Sequence, residues 1–293
     1  MPKLFLVVIP ILVGIFLAKL KIISQETNRK ISSAIVYFFA PVLVFYSIWH
    51  FEFEFQEIKN LLGIIFLFFL INFFVAKLVL SFFKIKDNFY ILPVVIINTA
   101  NLGYPANLLF WGKKSLPFIA TFNVGITFLL WTFGIYILAP QKNFTERIKN
   151  IFKIPVIYAF LFGFVLKGHN LPLIIEKIIL FVSFSAIPLL LFVLGTALSS
   201  FAFKFSKKIF AGVGARFLGG IFSFVILFSL FDTSLLYVKV ALVNVLMPSA
   251  VMNYVLTVKF GRDREYMLGV ILLTTVFYWI FFIAEWLFLK GAL

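Results

Sequence analysis

The chain has 293 residues, of which 63% are hydrophobic and only 13% charged, with a mean hydropathy of +1.12. Soluble domains carry about a quarter of their residues charged, so the composition excludes one and specifies a polytopic membrane protein. The absence of cysteine rules out disulfides, thiolate nucleophiles and cysteine metal sites, and the two histidines, His50 and His169, are too far apart in sequence to suggest a metal centre. No cofactor is therefore expected.

The net charge of +15 invites a nucleic-acid reading, but the basic residues are scattered through short loops between apolar runs. Their expected partner is the lipid surface instead. The 43 phenylalanines read as filler for lipid-facing surface. Lys3 precedes an apolar run to Ala18 that has no small-x-small cleavage site, so this run reads as a first span and not a removed leader.

The apolar runs predict an all-α protein of ten transmembrane helices, at 4–20, 33–49, 61–83, 89–111, 116–139, 154–167, 174–198, 209–231, 235–259 and 266–289. The hydrophilic stretch QKNFTERIKN, Gln141 to Asn150, divides the chain almost in half. The expected units are a five-helix repeat over 1–140, a cytoplasmic linker over 141–153 and a second five-helix repeat over 154–293.

Three proline pairs support the repeat. Pro10 and Pro155 are 145 residues apart, Pro41 and Pro188 are 147 apart, and Pro105 and Pro248 are 143 apart. An odd number of spans per repeat inverts the second copy, the plan of many secondary transporters. Loop charges set the orientation. One side collects 16 lysines and arginines, including Lys142, Arg147 and Arg262, and the other collects 8 together with Glu52, Glu54 and Glu57. Both termini are therefore expected outside a cytoplasmic (inner) membrane.

The fourth run contains NTANLGYPAN, Asn98 to Asn107, a poor sequence for a plain lipid-facing helix. Pro105 cannot donate to the carbonyl of Asn101, and Gly103 loosens the same turn. The ninth run, LVNVLMPSAVMNYV, repeats the device, with Pro248 freeing the carbonyl of Asn244. Backbone broken in this way is tolerated only inside protein or beside a wet cavity. In antiparallel spans the two breaks fall at similar depth, so broken helices 4 and 9 are expected to cross at the midplane. The half-helices after Pro105 and Pro248 then aim two N-termini at one point, an anion site made without a charged side chain.

Asn98, Asn101, Asn107, Asn244, Ser249 and Asn253 are the candidate neutral partners for a bound anion. The freed carbonyls leave a cation or a substrate donor open as alternatives. Arg216, inside the eighth run, has two open readings: pairing with a substrate carboxylate, or snorkelling beside Lys207 and Lys208. Lys77 reads as snorkelling. Gly212, Gly214, Gly219 and Gly220 read as a close-packing surface. Asn72 and Asn123 either face the crossover or bond a neighbour.

Asn98, Gly103 and Pro105, followed by Phe110 and Gly112, resemble the fourth-span motif of the auxin efflux carrier family. MPSAV, Met247 to Val251, and FGRDRE, Phe260 to Glu265, resemble its ninth span and cytoplasmic exit. The resemblance implies a fold similar to bile-acid sodium symporters, with helices 1, 2, 6 and 7 as a scaffold. Helices 3–5 and 8–10 would form the mobile transport unit. It also implies a homodimer through the scaffold and small organic anions as substrates, with Pro105 and Pro248 as crossover prolines. Asn107 falls a residue or so from the family's carboxylate-binding asparagine. The short central loop matches the minimal microbial type.

No Asp or Glu falls in the middle of any predicted span; Glu176, Glu285 and Asp232 sit at ends. A sodium or proton relay normally needs an acid within the membrane. The expected function is therefore an uncoupled, export-favouring carrier of mono- or dicarboxylates with elevator-like alternating access. A sodium- or proton-coupled symporter, a channel and a non-transporting sensor are the alternatives. No enzyme is expected, because no nucleophile–base pair or phosphate loop is present.

Overall fold

The computed structural model describes residues 2–138, 155–199 and 206–292. The linker expected at 141–153 lies outside them. Each apolar run in the described residues is helical, and two are interrupted. The elements are α1 (Pro2–Lys19), α2 (Gln25–Ala34), α3 (Ala40–His50), α4 (Phe55–Phe82), α5 (Leu92–Val95), α6 (Tyr104–Trp111), α7 (Leu116–Leu129) and α8 (Ile135–Leu138). They continue with α9 (Pro155–Val165), α10 (Leu173–Ser199), α11 (Lys207–Leu230), α12 (Leu236–Val245), α13 (Val251–Lys259) and α14 (Arg264–Ala292).

A π-helical turn, Ile35–Phe39, joins α2 to α3, and another, Leu130–Gly134, joins α7 to α8. Among the described residues, five helical segments are long and apolar enough to cross a membrane: Glu26–His50, Phe55–Phe82, Lys113–Leu138, Leu173–Thr196 and Lys207–Leu230. Val8–Lys19, Pro155–Val165 and Leu236–Val245 are shorter apolar helices. The protein is thus an all-α, multi-pass membrane protein.

Two packing groups organise the helices. In the first, α1 lies along α10, α9 along α3, and α10 also touches α3. Small residues permit this closeness. A Cβ on Gly14 would fall 2.3 Å from the carbonyl oxygen of Phe192, and one on Gly195 would fall 2.1 Å from that of Ile11. In the second group α4 packs on α11, α7 and α12, while α14 packs on α11 and α13. The groups touch where α3 meets α7 and where α10 meets the turn Thr99–Gly103.

The interrupted helices occupy the middle of the second group. Leu92, Val94, Val95 and Ile96 are fully buried, as are Val238 and the run Val240 to Val243. The fourth-run break does not lie at Pro105, where the sequence puts it. The helix stops at Val95, the chain is non-helical over 96–98, and Pro105 sits in the first turn of α6.

The reason is local. The β-branched run Val94 to Ile97 favours extended backbone, and Ile96 adopts φ −104°, ψ 104°. Asn98 then caps the next segment, its Oδ1 accepting from the amide of Asn101 at 3.1 Å. A π turn, Thr99–Gly103, follows, and its wider register absorbs the amide that Pro105 lacks. In the ninth run the break does contain its proline, with 246–250 non-helical between α12 and α13.

Candidate functional site

The two breaks meet. Ile97 and Ser249 form an isolated antiparallel β-bridge, in which the Asn98 amide donates to the Pro248 carbonyl at 2.8 Å. The Ala250 amide donates to the Ile96 carbonyl at 3.0 Å. Broken backbone that lipid could not solvate is therefore satisfied by the other break. Asn253 reinforces the contact, its Nδ2 donating to the Ile96 carbonyl at 2.9 Å and to Ser249 Oγ at 3.1 Å. Thr274 Oγ1, on α14, accepts from the Ser249 amide at 3.2 Å.

A cavity of about 310 Å³ lies beside this junction, between the two packing groups. One wall is formed by Ser32, Ile35, Tyr37, Val156, Leu190 and Val193 from the first group. The opposite wall has Asn98, Thr99, Ala100 and Asn101 from the start of the second fourth-run half, and Ala250 to Met252 from the start of α13. The first turn of a helix leaves amides without intrahelical partners, so two N-terminal turns border one cavity.

Asn123, Thr127 and Trp131 complete the wall, and Thr99 Oγ1 donates to Asn123 Oδ1 at 2.8 Å. None of the described lining residues is charged. Any positive potential here comes from backbone amides and helix ends.

Of the residues singled out from sequence, Asn98 and Asn101 line the cavity; Asn107, Asn244, Pro105, Pro248, Ser249, Asn253 and Arg216 do not. Asn107 and Asn244 are fully buried, and each donates Nδ2 to a carbonyl four residues back, Gly103 and Val240. Their Oδ1 atoms, with Asn98 Nδ2, Asn253 Oδ1 and the Tyr104 hydroxyl, have no hydrogen-bond partner among the described residues. Asn244 Oδ1 presses on Gly103, where an added Cβ would sit 2.8 Å away. Gly103 is required for this approach and not for a left-handed backbone.

Arg216 is 1% exposed, so it does not snorkel, and its guanidinium is held by backbone carbonyls at the helix ends before both breaks and inside the ninth-run one. Lys77 does reach the surface, donating to Asn88 Oδ1 at 2.6 Å. Asn72 bonds Arg216 and Asn123 faces the cavity.

Gly212 and Gly219 make room for Tyr266 and Asn72, whereas Gly214 has open space around it. Glu285, read from sequence as a helix-end residue, is buried at 6% exposure, and α14 continues past it to Ala292. Sequence reasoning missed Ser32, Thr127 and Trp131 as wall residues. Their only signal is position on helices that the fold turns toward the breaks.

The FGRDRE segment ties the interrupted helices together at one end of the protein. Arg262 pairs with Asp87 at 2.5 Å, and Asp87 caps the turn before α5. Asp263 accepts from the Tyr90 hydroxyl at 3.2 Å and from the Tyr266 amide at 3.0 Å, and Lys208 donates to Tyr90 at 2.8 Å.

Two comparisons with known proteins bear on what the chain does. Residues 144–284 match the family described as membrane transport protein. An uncharacterized transporter of Methanocaldococcus jannaschii is 28% identical over 303 residues, covering 94% of each chain. The chain is thus similar to membrane transport proteins, over its second half to the family and over nearly its whole length to the archaeal transporter. These matches support a permease.

Proposed function

We propose that this permease carries small organic anions, mono- or dicarboxylates, across the cytoplasmic membrane. The carrying observation is the cavity at which two half-helix N-termini meet a neutral Asn/Thr wall. A carboxylate accepts from such amides and is stabilised by the helix ends without a counter-charge to break on release. The remaining wall is apolar, with Trp131, Leu130, Ile126 and Val193. That favours an acid with one carboxylate and an apolar body over a compact dicarboxylate.

Further elements of the reading are two inverted five-helix repeats, spanning ten times with both termini outside. A homodimer forms through the scaffold. The packing of α1, α2, α3, α9 and α10 as one group supports a scaffold, and the remainder supports a unit that moves as an elevator. With no charged group lining the cavity, the anion moves down its own gradient and the membrane potential. A negative interior favours export by about 2.3 kcal/mol per charge per 100 mV.

Titration of the protein in nanodiscs with indole acetate, malonate and malate tests the reading. Saturable binding of at least one acid, weakened tenfold or more in Asn98→Ala/Asn101→Ala, is expected. Binding unaffected by that pair would contradict it. The buried Glu285 favours one second reading, proton-coupled transport. Transport driven by a pH gradient and lost in Glu285→Gln would establish it.

A further inference from the structure

Four oxygen atoms from three separate segments converge on the buried guanidinium of Arg216. Its Nε donates to the Met247 carbonyl at 3.0 Å, Nη1 to the Val94 carbonyl at 3.0 Å and to Asn72 Oδ1 at 2.5 Å, and Nη2 to the Val245 carbonyl. Val94 lies in the last turn of α5, Val245 ends α12, and Met247 is inside the ninth-run break. These are the C-terminal, electronegative ends of both first half-helices.

Among the described residues no carboxylate pairs with Arg216; the carbonyls and one neutral amide are its counter-charge. The surroundings are shaped to hold it. Asn72 is oriented by donating to Ser223 Oγ at 2.9 Å and to the Phe68 carbonyl at 2.9 Å, and the guanidinium lies 5.5 Å from the centre of the Phe68 ring. A Cβ on Gly219 would fall 2.4 Å from Asn72 Oδ1, and one on Gly220 would fall 2.9 Å from the Val245 carbonyl oxygen. Both glycines are needed for the site to close around the arginine.

Unwound carbonyls and half-helix C-termini are the donor set with which broken-helix transporters hold a coupling sodium ion. We infer that Arg216 is a resident cation occupying such an ion site, so that the paired breaks keep their binding geometry without a co-transported ion. Its charge offsets the two negative helix ends and leaves the two positive ends unopposed at the cavity. Arg216 is thus a positioning residue that touches no substrate. The consequence for transport rests on the carrier reading, whereas the ion-site assignment does not.

The test compares thermal unfolding of the wild type and Arg216→Ser in nanodiscs, in choline, sodium or low-millimolar guanidinium chloride, without substrate. The wild type is expected to melt at the same temperature in all three. Arg216→Ser is expected to melt several degrees lower in choline and to regain at least half of that loss in sodium or guanidinium. Carboxylate affinity should recover in parallel. A sodium-dependent wild type, or a variant indifferent to every cation, overturns the assignment.

If Arg216→Ser does not fold in any salt, Arg216→Lys replaces it. A folded, sodium-indifferent protein is then expected, and misfolding or stabilisation by sodium counts against the proposal. Cation rescue in a protein that binds none of the acids would overturn the carrier reading alone.

Discussion

The amide of Asn98 donates to the carbonyl of Pro248 at 2.8 Å, joining residues 150 positions apart at the centre of two interrupted helices. Each break supplies hydrogen-bond partners that the other lacks. The side chain of Asn98 simultaneously caps the segment that begins at Thr99. Asn98→Ala is therefore expected to lower stability by about 1 kcal/mol through loss of the cap. The same change should weaken anion binding more than stability, as read by paired melting and titration.

Gly103→Ala should be strongly disruptive. The added methyl would meet Asn244 Oδ1 at 2.8 Å and Ile119 Cδ1 at 3.0 Å, forcing the two interrupted helices apart. Overpacking of this kind costs roughly 1–3 kcal/mol. Gly63→Ala, within α4 and with nothing near the added methyl, should instead hold or raise the melting temperature through helix propensity.

Thr99→Val keeps the shape of the cavity wall but removes the hydrogen bond to Asn123 Oδ1. An orphaned buried acceptor costs about 1–3 kcal/mol. Reduced stability and an affinity loss of about tenfold are expected in the same melting and titration experiments. An unchanged affinity would detach this wall from the substrate.

Glu285→Gln separates uncoupled from proton-coupled transport. The uncoupled account predicts that a pH gradient does not drive flux in proteoliposomes, before or after the substitution. A pH-driven component abolished by it would shift the assignment to proton coupling.

The apolar runs located the helices, although the second and third spans begin at Gln25 and Phe55, well before the predicted 33 and 61, and Asn/Gly/Pro clustering pointed to both irregular segments. The position of the fourth-run break was not legible from Pro105. A π turn accommodates that proline, while the break follows from four β-branched residues and a capping asparagine just upstream. Arg216 was ambiguous because three of its four partners are backbone carbonyls, which leave no mark in sequence. Glu285 read as terminal because α14 runs past the apolar stretch, and its burial comes from neighbouring helices. Asn98 and Asn101 stood out because polar side chains within an apolar run need a partner or a cavity, and both border the cavity.

The most direct test of the central claim is charge movement in proteoliposomes on jumps of indole acetate, malonate, malate, succinate and a bile acid. Each jump is made with and without sodium, for the wild type and for Asn98→Ala/Asn101→Ala. Saturable currents that are indifferent to sodium and lost in the double variant are the predicted result. Currents that require sodium, or that survive the double variant unchanged, would contradict an uncoupled anion carrier working at the paired breaks.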